Sequence, residues 1–500
     1  MVLDMNKNFI LLICVSLLLI SCSSSKKVNN GYVVVASESV YNDHEWKAVV
    51  DELQKMHDAD VVTYSVSPNE LLEALRKFKP RYVAFVEQPS NLDLNYVINI
   101  NQLSRVIEDD IYTDFLWGII TGYDAESALQ LVENGREQFV IHTAVSTIKE
   151  IEEAKWFDAF AYIDDHQIGW AGKKDLPGDT VRKYIIERKV EIPDHRKGEF
   201  RRIRPNSPDL LGEFYDMYRD YSPDLLVTAS HATEYNLEMP RSLGNVISEK
   251  GELYANFPTG KKKLVDNGNR KVYLPIGNCQ IGNIDKNIES MAPAWIKSAN
   301  LAAFVGYVVP TWYGRSGWGA LKYWLTTPGK YTISEATFLN MQDMLHQLNG
   351  WNNDLLVKNF DHSDFRGSIN AMLDDYSEHE QGFFYDRDVL VYYGDPAANI
   401  RLAEIEEELD YSVDIKQEKS QCVVTIKTDQ NFDMKMMKGN NFKAEHVDDL
   451  PFSYFFPSRL NNPRLAANQD WNVAVNKDFL LIYDFDFKPN MEYKVYLDVD

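Results

Sequence analysis

Short hydrophobic runs of strand length alternate with helical patterns along this chain, and that alternation limits the folds it can adopt. The runs Tyr32–Ala36 and Pro80–Val86 have the composition of buried strands, and Glu45–His57 between them places its apolar residues at helical spacing. Strands that alternate with helices form βαβ units, in which the strands lie parallel and the helices cover the sheet. The sequence therefore predicts an α/β fold built on a mainly parallel sheet.

The pattern also predicts how the chain divides into domains. A second series of strands and helices begins near residue 136, and after about residue 402 the helical patterns stop. Short strands separated by turn residues follow, among them Cys422–Lys427 and Leu480–Asp484. We therefore expect an α/β subdomain at residues 31–135, a second at 136–402 and a β-sandwich at 403–500.

The N-terminus has the character of a targeting segment. Lys7 precedes the apolar run Phe9–Ile20, which is too short to span a membrane stably and is typical of a signal peptide. The ending Leu-Ile-Ser-Cys22 resembles the lipobox of bacterial lipoproteins, in which the cysteine carries the lipid. We expect residues 1–21 to be a leader, Cys22 to be lipidated and residues 22–30 to form a flexible tether. An ordinary signal peptide that contains a cysteine is the alternative.

This interpretation predicts an exported protein that a lipid anchors to the bacterial cell envelope. The outer membrane is the expected location, with the periplasmic or surface side left open. The net charge of −23 argues against nucleic acid as a partner, and we interpret the basic run Lys261–Lys263 as a solvated turn. No cofactor is expected, because the sequence has no P-loop and no zinc-ligand spacing. Structural calcium is compatible with the acidic loops but has no motif.

Two hydrophobic runs in the middle of the chain each end on a residue that can do chemistry. They are Asp224–His231 and Lys271–Cys279. In an open α/β sheet, ligands bind at the carboxyl ends of the strands. If the two strands are parallel neighbours, Cys279 and His231 emerge side by side as a nucleophile and its base. The alternative is that Cys279 is a small buried hydrophobic residue and His231 a hydrogen-bonded structural one.

Processing would simplify the cysteine pattern. Cys14 lies in the predicted leader and Cys22 would carry lipid, so that Cys279 and Cys422 remain. Two cysteines in an oxidising compartment can form a disulfide. Because these two lie far apart and in different predicted domains, we expect both to be free thiols.

Four stretches together resemble the gingipain-like cysteine peptidases, whose catalytic domain has the caspase-like fold. His231 and Cys279 follow successive hydrophobic strands and lie 48 residues apart, close to the spacing of about 50 found in caspases. Asp109–Asp114 is similar to an aspartate-rich segment of the family, and Leu390–Pro396 is similar to the Gly-Asp-Pro ending of its catalytic domain. The β-rich C-terminal region corresponds to the immunoglobulin-like domain that commonly follows.

The resemblance implies a fold and a mechanism. The fold would be two α/β subdomains of caspase-like type followed by an immunoglobulin-like β-sandwich. The protein would be a cysteine-type endopeptidase in which Cys279 attacks the substrate carbonyl and His231 moves the protons. The backbone N–H groups of Cys279 and Ala232 would hold the oxyanion, and Trp312 would line the substrate pocket. Protein or peptide substrates are the implied partners.

Two departures from the family pattern leave alternatives open. Ala232 stands where the family usually has glycine, and Asn278 stands where it commonly has alanine. Asp164 and Asp165 end another strand-like run and are candidates for a third residue that orients the histidine. A catalytically inactive lipoprotein that binds or scaffolds envelope components would keep the fold without the chemistry. A lipoprotein that binds a small solute between two α/β lobes is a third possibility.

Overall fold

The chain forms a twelve-stranded mixed sheet covered by helices, followed by a smaller β-region. In this computed structural model, the residues described are 31–153, 156–204, 206–265, 267–372, 375–404, 409–440, 442, 444 and 446–500. The leader, the lipobox Cys22 and the tether predicted at residues 1–30 lie outside them. Within the described ranges, no helix has the length and apolar character needed to cross a membrane.

The strands are numbered in chain order. They are β1 Tyr32–Ser37, β2 Asp60–Tyr64, β3 Tyr82–Val86, β4 Leu116–Ile120, β5 Phe139–Val140, β6 Thr143–Ser146, β7 Ala159–Ile163, β8 Trp170–Lys174, β9 Arg182–Ile185, β10 Leu225–Val227, β11 Ala232–Thr233, β12 Asn236–Glu238, β13 Asn245–Glu249, β14 Glu252–Phe257, β15 Gly260–Lys263, β16 Lys271–Leu274, β17 Leu301–Tyr307, β18 Leu390–Gly394, β19 Ile400–Arg401, β20 Tyr411–Glu418, β21 Gln421–Thr428, β22 Phe452–Phe455, β23 Arg464–Leu465, β24 Asn472–Asn476, β25 Phe479–Tyr483 and β26 Glu492–Asp498.

The α-helices are also numbered in chain order. They are α1 Glu38–Asn42, α2 His44–His57, α3 Leu72–Phe78, α4 Leu94–Leu103, α5 Ala125–Asn134, α6 Leu210–Tyr221, α7 Met291–Ser298, α8 Arg315–Thr326, α9 Ile333–Asn352, α10 Asp354–Val357, α11 Phe365–Met372, α12 Glu378–Asp386 and α13 Met434–Met437. Side-chain caps begin several of them. The α2 helix starts where the Asp43 carboxylate accepts hydrogen bonds from the N–H groups of Glu45 and Trp46.

The large sheet has the order β2-β1-β3-β4-β18-β17-β16-β10-β6-β7-β8-β9. Neighbours are parallel except at β17/β18, β7/β8 and β8/β9, so the expected parallel-dominated α/β fold is confirmed. From β6 the chain proceeds to β7 on one side, whereas β10, β16 and β17 follow one another on the other side. The order therefore reverses between β6 and β10. In sheets of this kind, the crevice outside the strand ends at such a reversal is where ligands bind.

The C-terminal region is antiparallel, as expected. Its sheets have the orders β20-β21-β26-β23 and β22-β25-β24, and apolar residues between them form a separate core that includes Cys422, Leu480 and Val495. Short β5 and β19 pair with each other, which joins the beginning and the end of the segment from residue 139 to residue 401.

Buried ionic contacts fix this β-region to the α/β region. Asp478 is 1% exposed, and both of its carboxylate oxygens lie 3.0 Å from Nε of Arg459. The same guanidinium donates to the backbone carbonyls of Lys79 and Pro80 at 2.7 and 2.8 Å. Arg81 approaches the same carboxylate at 3.2 Å. Because two guanidinium groups share one buried carboxylate, the junction depends on Asp478.

Lys330 forms a second link across this junction. Its ammonium donates to the Tyr411 hydroxyl at 2.9 Å and to the Ser453 carbonyl at 3.0 Å. Four aromatic rings surround the ammonium, with centroids 4.8 to 5.3 Å away. Such contacts stabilise a cation that is withdrawn from water.

One element was not predicted. The strands β11 to β15 form a five-stranded antiparallel sheet between His231 and the β16 strand. The prediction of a solvated turn at Lys261–Lys263 was wrong in its secondary structure, because these residues lie in β15, although their side chains are exposed as expected. An exposed edge strand tolerates three lysines, since its outer side faces water.

Candidate functional site

The two strands that carry the candidate catalytic residues are neighbours. β10 and β16 are parallel and paired, with Val227 opposite Leu274, and the N–H of Thr228 donates to the Leu274 carbonyl at 3.1 Å. His231 and Cys279 follow in the loops that leave these strands. The structure therefore brings both residues to the same edge of the sheet, beside the reversal of strand order.

Asn278 joins the two loops. Its side chain is fully buried; Nδ2 donates to the Ser230 carbonyl at 2.8 Å, and Oδ1 accepts from the Thr228 hydroxyl at 2.6 Å. Thr228 also lies 3.0 Å from the Tyr273 hydroxyl. A buried amide that is satisfied on both sides fixes the loops relative to each other. Asn278, which precedes Cys279, therefore holds the residue that precedes His231. The sequence did not reveal this role.

The Cys279 thiol is partly buried and surrounded by backbone donors. The Thr311 N–H donates to Sγ at 3.2 Å. Burial raises the pKa of the thiol above its usual value, whereas hydrogen bonding from Thr311 and from the N–H groups of Cys279 and Ala232 acts in the opposite direction. Because burial outweighs these donors, the thiol is neutral in this arrangement at neutral pH.

His231 is fixed through its backbone while its side chain remains exposed. Its carbonyl accepts from the Glu238 N–H at 2.9 Å, in the hairpin formed by β11 and β12. Across the described parts of the chain, the His231 imidazole makes no hydrogen bond, ion pair or ring contact. The structure thus places the two residues on adjoining loops without a hydrogen bond between imidazole and thiol.

Ala232 begins β11 and is buried. Its N–H and that of Cys279 are the two donors predicted for the oxyanion, and both act on the thiol sulfur here. A carbonyl oxygen placed next to the sulfur would compete for the same donors. This arrangement is compatible with an oxyanion hole that is occupied by the thiol in the resting state.

Trp312 lies in the loop after β17, close to the thiol. Its ring is 36% exposed and packs edge-on against Tyr385 and Phe365, with centroids 5.7 and 5.9 Å away. Tyr385 donates to the Pro310 carbonyl at 2.5 Å and interacts electrostatically with Cys279. One face of Trp312 therefore packs on an aromatic cluster, and the rest of the ring faces solvent on the Cys279 side of the sheet.

A cluster of ionisable residues lies at the same edge, after β6 and β7. The Nε2 atom of His166 lies 2.9 Å from Glu150 Oε1 and 3.7 Å from the Asp165 carboxylate. Burial and the charge of Glu150 raise the pKa of Asp165 to about 6. Asp164, in contrast, accepts from the N–H groups of His166 and Gln167 and stabilises its own turn. Neither aspartate contacts His231 through a described interaction, so neither acts as its orienting residue in this structure.

Among the residues that the structure describes, two sets of side chains have the geometry to share a cation. In Glu150, Asp165 and His166 the potential ligand atoms lie within 4.8 Å of one another, and the same holds for Glu108, Asp110 and Asp114. The second set lies in and directly before the aspartate-rich segment Asp109–Asp114. Its Glu108 already forms an ion pair, because the Lys477 ammonium lies 2.7 Å from the carboxylate.

The two cysteines of the described chain are free. Cys279 is partly exposed, and Cys422 is buried in the core of the β-region. The expectation that they do not form a disulfide with each other is confirmed.

The aspartate of the Gly-Asp-Pro segment has a structural environment. Asp395 is fully buried, and its carboxylate accepts from the Tyr32 hydroxyl at 2.8 Å and lies 2.6 Å from His57 Nε2. The rings of Tyr32 and His57 stack with centroids 4.0 Å apart. Asp395 therefore ties the end of β18 to β1 and α2, away from the candidate dyad.

Comparison with known proteins gives two solved structures and no sequence relatives. No protein-family model and no curated protein matches the chain. The chain is similar to the Arg-specific cysteine proteinase gingipain R, with a TM-score of 0.41 and 10% identity over 95% of this chain and 92% of that one. It is also similar to a structure described as a protease, with a TM-score of 0.34 and 8% identity over 80% and 84% of the two chains.

Proposed function

We propose that this protein is a cysteine-type endopeptidase with Cys279 as nucleophile and His231 as proton carrier. One observation carries the proposal. The adjacent parallel strands β10 and β16 end in loops that Asn278 joins, and these loops carry an exposed imidazole and a thiol surrounded by N–H donors at one edge of the sheet. Nucleophilic catalysis by cysteine requires these three parts.

The proposed reaction proceeds through an acyl-enzyme. His231 accepts the thiol proton, and the thiolate attacks the carbonyl carbon of the scissile peptide bond. The oxygen then becomes an oxyanion that accepts from the N–H groups of Cys279 and Ala232. His231 returns the proton to the departing amine as the C–N bond breaks, and water hydrolyses the thioester with His231 as base.

The rate of Cys279 alkylation tests this proposal. Iodoacetamide labelling is followed between pH 5 and 9 by peptide mapping, which separates Cys279 from the buried Cys422. If His231 deprotonates the thiol, labelling at pH 7 is about tenfold or more faster than in His231→Ala. His142→Ala removes another exposed imidazole, 58% exposed, and should label like the wild type.

Equal labelling of wild type and His231→Ala would refute the dyad. If labelling does depend on His231, the wild type should also cleave a peptide library, and both Cys279→Ala and His231→Ala should lose this cleavage. A chain that labels rapidly but cleaves no peptide would have an activated thiol with another substrate class.

A second candidate function is favoured by the resting site. Burial raises the pKa of the thiol, and the exposed imidazole does not contact it. An inactive lipoprotein that binds or scaffolds envelope components would show this arrangement permanently. It predicts slow labelling at all pH values below the thiol pKa and no effect of His231→Ala.

We also propose that a lipid on Cys22 anchors the protein to the bacterial cell envelope. The support is the Leu-Ile-Ser-Cys22 ending after an apolar segment. Metabolic labelling with an alkyne fatty acid should mark the wild type, and Cys22→Ala should remain unlabelled and be released in soluble form. Labelling that persists in Cys22→Ala would exclude this anchor.

A further inference from the structure

A polar groove opens beside the hairpin that carries His231. Its volume is about 410 Å³. Its lining includes Arg196, Arg201, Arg202, Glu238, Asn245 and Asn256. This volume is enough for a few residues of an extended peptide.

Backbone pairing places the groove next to the candidate dyad. The Glu238 N–H donates to the His231 carbonyl at 2.9 Å, and Ala232 pairs with Leu237 in the same hairpin. Glu238, which lines the groove, is therefore the residue directly opposite His231. A peptide that passes the thiol on the His231 side would enter this groove.

The groove is bordered by a basic segment in an otherwise acidic protein. Residues 194–204 contain five basic side chains and two acidic ones, Asp194 and Glu199, so the segment is positive on balance, whereas the whole chain has a net charge of −23. The two acidic residues pair with Lys197 and Arg196, so the remaining positive charge of the segment belongs to the later arginines. An acidic ligand is repelled by most of the surface and attracted here. The charge pattern therefore selects for carboxylates at this position.

The arginines differ in how much of their hydrogen-bonding capacity is used. Arg196 donates to the Pro258 carbonyl at 2.8 Å and to Glu199 at 2.6 Å, which fixes it as part of the wall. Arg202 is 73% exposed and lies 3.4 Å from the Glu238 carboxylate, a long contact. Arg201 is exposed and uses Nε for the Gly198 carbonyl at 3.1 Å, and within the described residues its terminal nitrogens make no hydrogen bond. Arg201 and Arg202 can therefore donate to a ligand.

We propose that this groove binds an acidic stretch of a polypeptide through the guanidinium groups of Arg201 and Arg202. Guanidinium groups recognise carboxylates through paired, charge-assisted hydrogen bonds. The placement of that stretch beside the scissile bond rests on the proposed peptidase function. The binding of acidic peptide itself does not, because it requires only the groove.

The test measures binding in Cys279→Ala, so that turnover cannot interfere. The probe is a fluorescein-labelled octapeptide of alternating Glu and Gly with an amidated C-terminus, and the Gln-Gly analogue carries the same label, so that the two peptides differ only in their side-chain carboxylates. Fluorescence anisotropy should show this peptide binding about tenfold or more tightly than a Gln-Gly analogue at 50 mM salt. The preference should weaken strongly at 500 mM salt, because exposed charges are screened.

Two charge-reversal variants locate the site. Arg201→Glu/Arg202→Glu should abolish the preference for the Glu-Gly peptide, and the milder Arg201→Gln/Arg202→Gln should reduce it. Lys416→Glu/Lys419→Glu makes the same change in net charge on the exposed β20–β21 hairpin and should leave binding unchanged. Unfolding midpoints confirm that each variant is folded.

Equal binding of the Glu-Gly and Gln-Gly peptides would overturn the proposal, as would equal losses in the two charge-reversal variants. Both results are independent of whether Cys279 is activated. Rapid, His231-dependent alkylation without acidic-peptide binding would retain the peptidase and reject the groove. Acidic-peptide binding without activation would retain the groove and reject the peptidase.

Discussion

The contribution of Asn278 can be predicted in detail, because its partners and burial are known. Asn278→Ala removes the bond to the Ser230 carbonyl and the bond to the Thr228 hydroxyl, both in a fully buried position. The Ser230 carbonyl is left without this donor, at a cost of about 1–3 kcal/mol. The Thr228 hydroxyl retains Tyr273, so its loss costs about 1 kcal/mol. We expect a total loss of about 2–4 kcal/mol in the free energy of unfolding.

The assay is urea unfolding followed by tryptophan fluorescence, with the Cys279 alkylation rate measured on the same samples. Thr228→Val removes one of the two partners and should cost less than Asn278→Ala, whereas Thr228→Ser keeps the hydroxyl and should lose only the burial of one methyl group, about 1 kcal/mol. In the double variant Asn278→Ala/Thr228→Val, the loss in free energy of unfolding should be smaller than the sum of the two single losses, because the residues share one hydrogen bond.

Asn278 is a positioning residue in this interpretation, so stability alone does not test it. If it aligns the two loops, Asn278→Ala should also remove the His231-dependent part of the alkylation rate, whereas Thr228→Ser should keep it. A loss of stability below about 1 kcal/mol would refute the energetic reasoning. A normal His231 dependence in folded Asn278→Ala would refute the positioning role.

Four further outcomes are expected. Asp478→Ala should lower the free energy of unfolding in urea by about 3–5 kcal/mol, because two guanidinium groups lose their shared carboxylate. Asp486 is 72% exposed, and the control Asp486→Ala should have little effect in the same assay. Burial raises the pKa of Asp114 to about 7, so the folded state binds this proton more tightly than the unfolded state does. Wild-type stability should therefore fall as pH rises from about 4 to about 7, and Asp114→Asn should flatten that part of the stability–pH profile. Burial lowers the pKa of Lys330 to about 7, so the folded state binds this proton less tightly than the unfolded state does. Stability should therefore rise as pH rises from about 7 to about 10, and Lys330→Met, which keeps the aliphatic stem, should flatten that part of the profile in urea titrations. If Trp312 lines the substrate pocket, Trp312→Ala should raise KM for peptides while kcat changes little in steady-state assays.

The sequence was sufficient to recognise the two strands that lead to His231 and Cys279. Buried parallel strands appear as continuous apolar runs, and Leu225–Val227 and Lys271–Leu274 were recognisable for that reason. Their pairing was the condition on which the predicted dyad depended, and the structure meets it although β11–β15 lie between the two strands in the chain. The five-stranded sheet after His231 was missed, although Glu252–Phe257 alternates buried and half-buried positions, which is the pattern of a strand with one exposed face.

The α8 and α9 helices and the polar contacts of the site could not be predicted from a pattern in the sequence. The helix that follows Trp312 was not predicted: Arg315 starts α8 and forms a buried ion pair with Asp343 of α9 at 2.7 Å. A buried arginine in a helix gives no apolar stripe by which to recognise that helix. The donors around Cys279 are mostly backbone N–H groups, such as that of Thr311, and a backbone donor has no signature in sequence.

The enzyme and the inactive lipoprotein differ in one physical respect, which is whether the His231 imidazole reaches the Cys279 thiol. The His231 backbone is held by its hydrogen bond to Glu238, so the position of the imidazole depends on its own side-chain torsions. Rotamer changes of an exposed side chain are fast and inexpensive. The donors that now act on the sulfur would meanwhile become available to a substrate oxygen. A resting site with a neutral thiol is therefore compatible with catalysis, provided that substrate binding and rotation of the imidazole occur together.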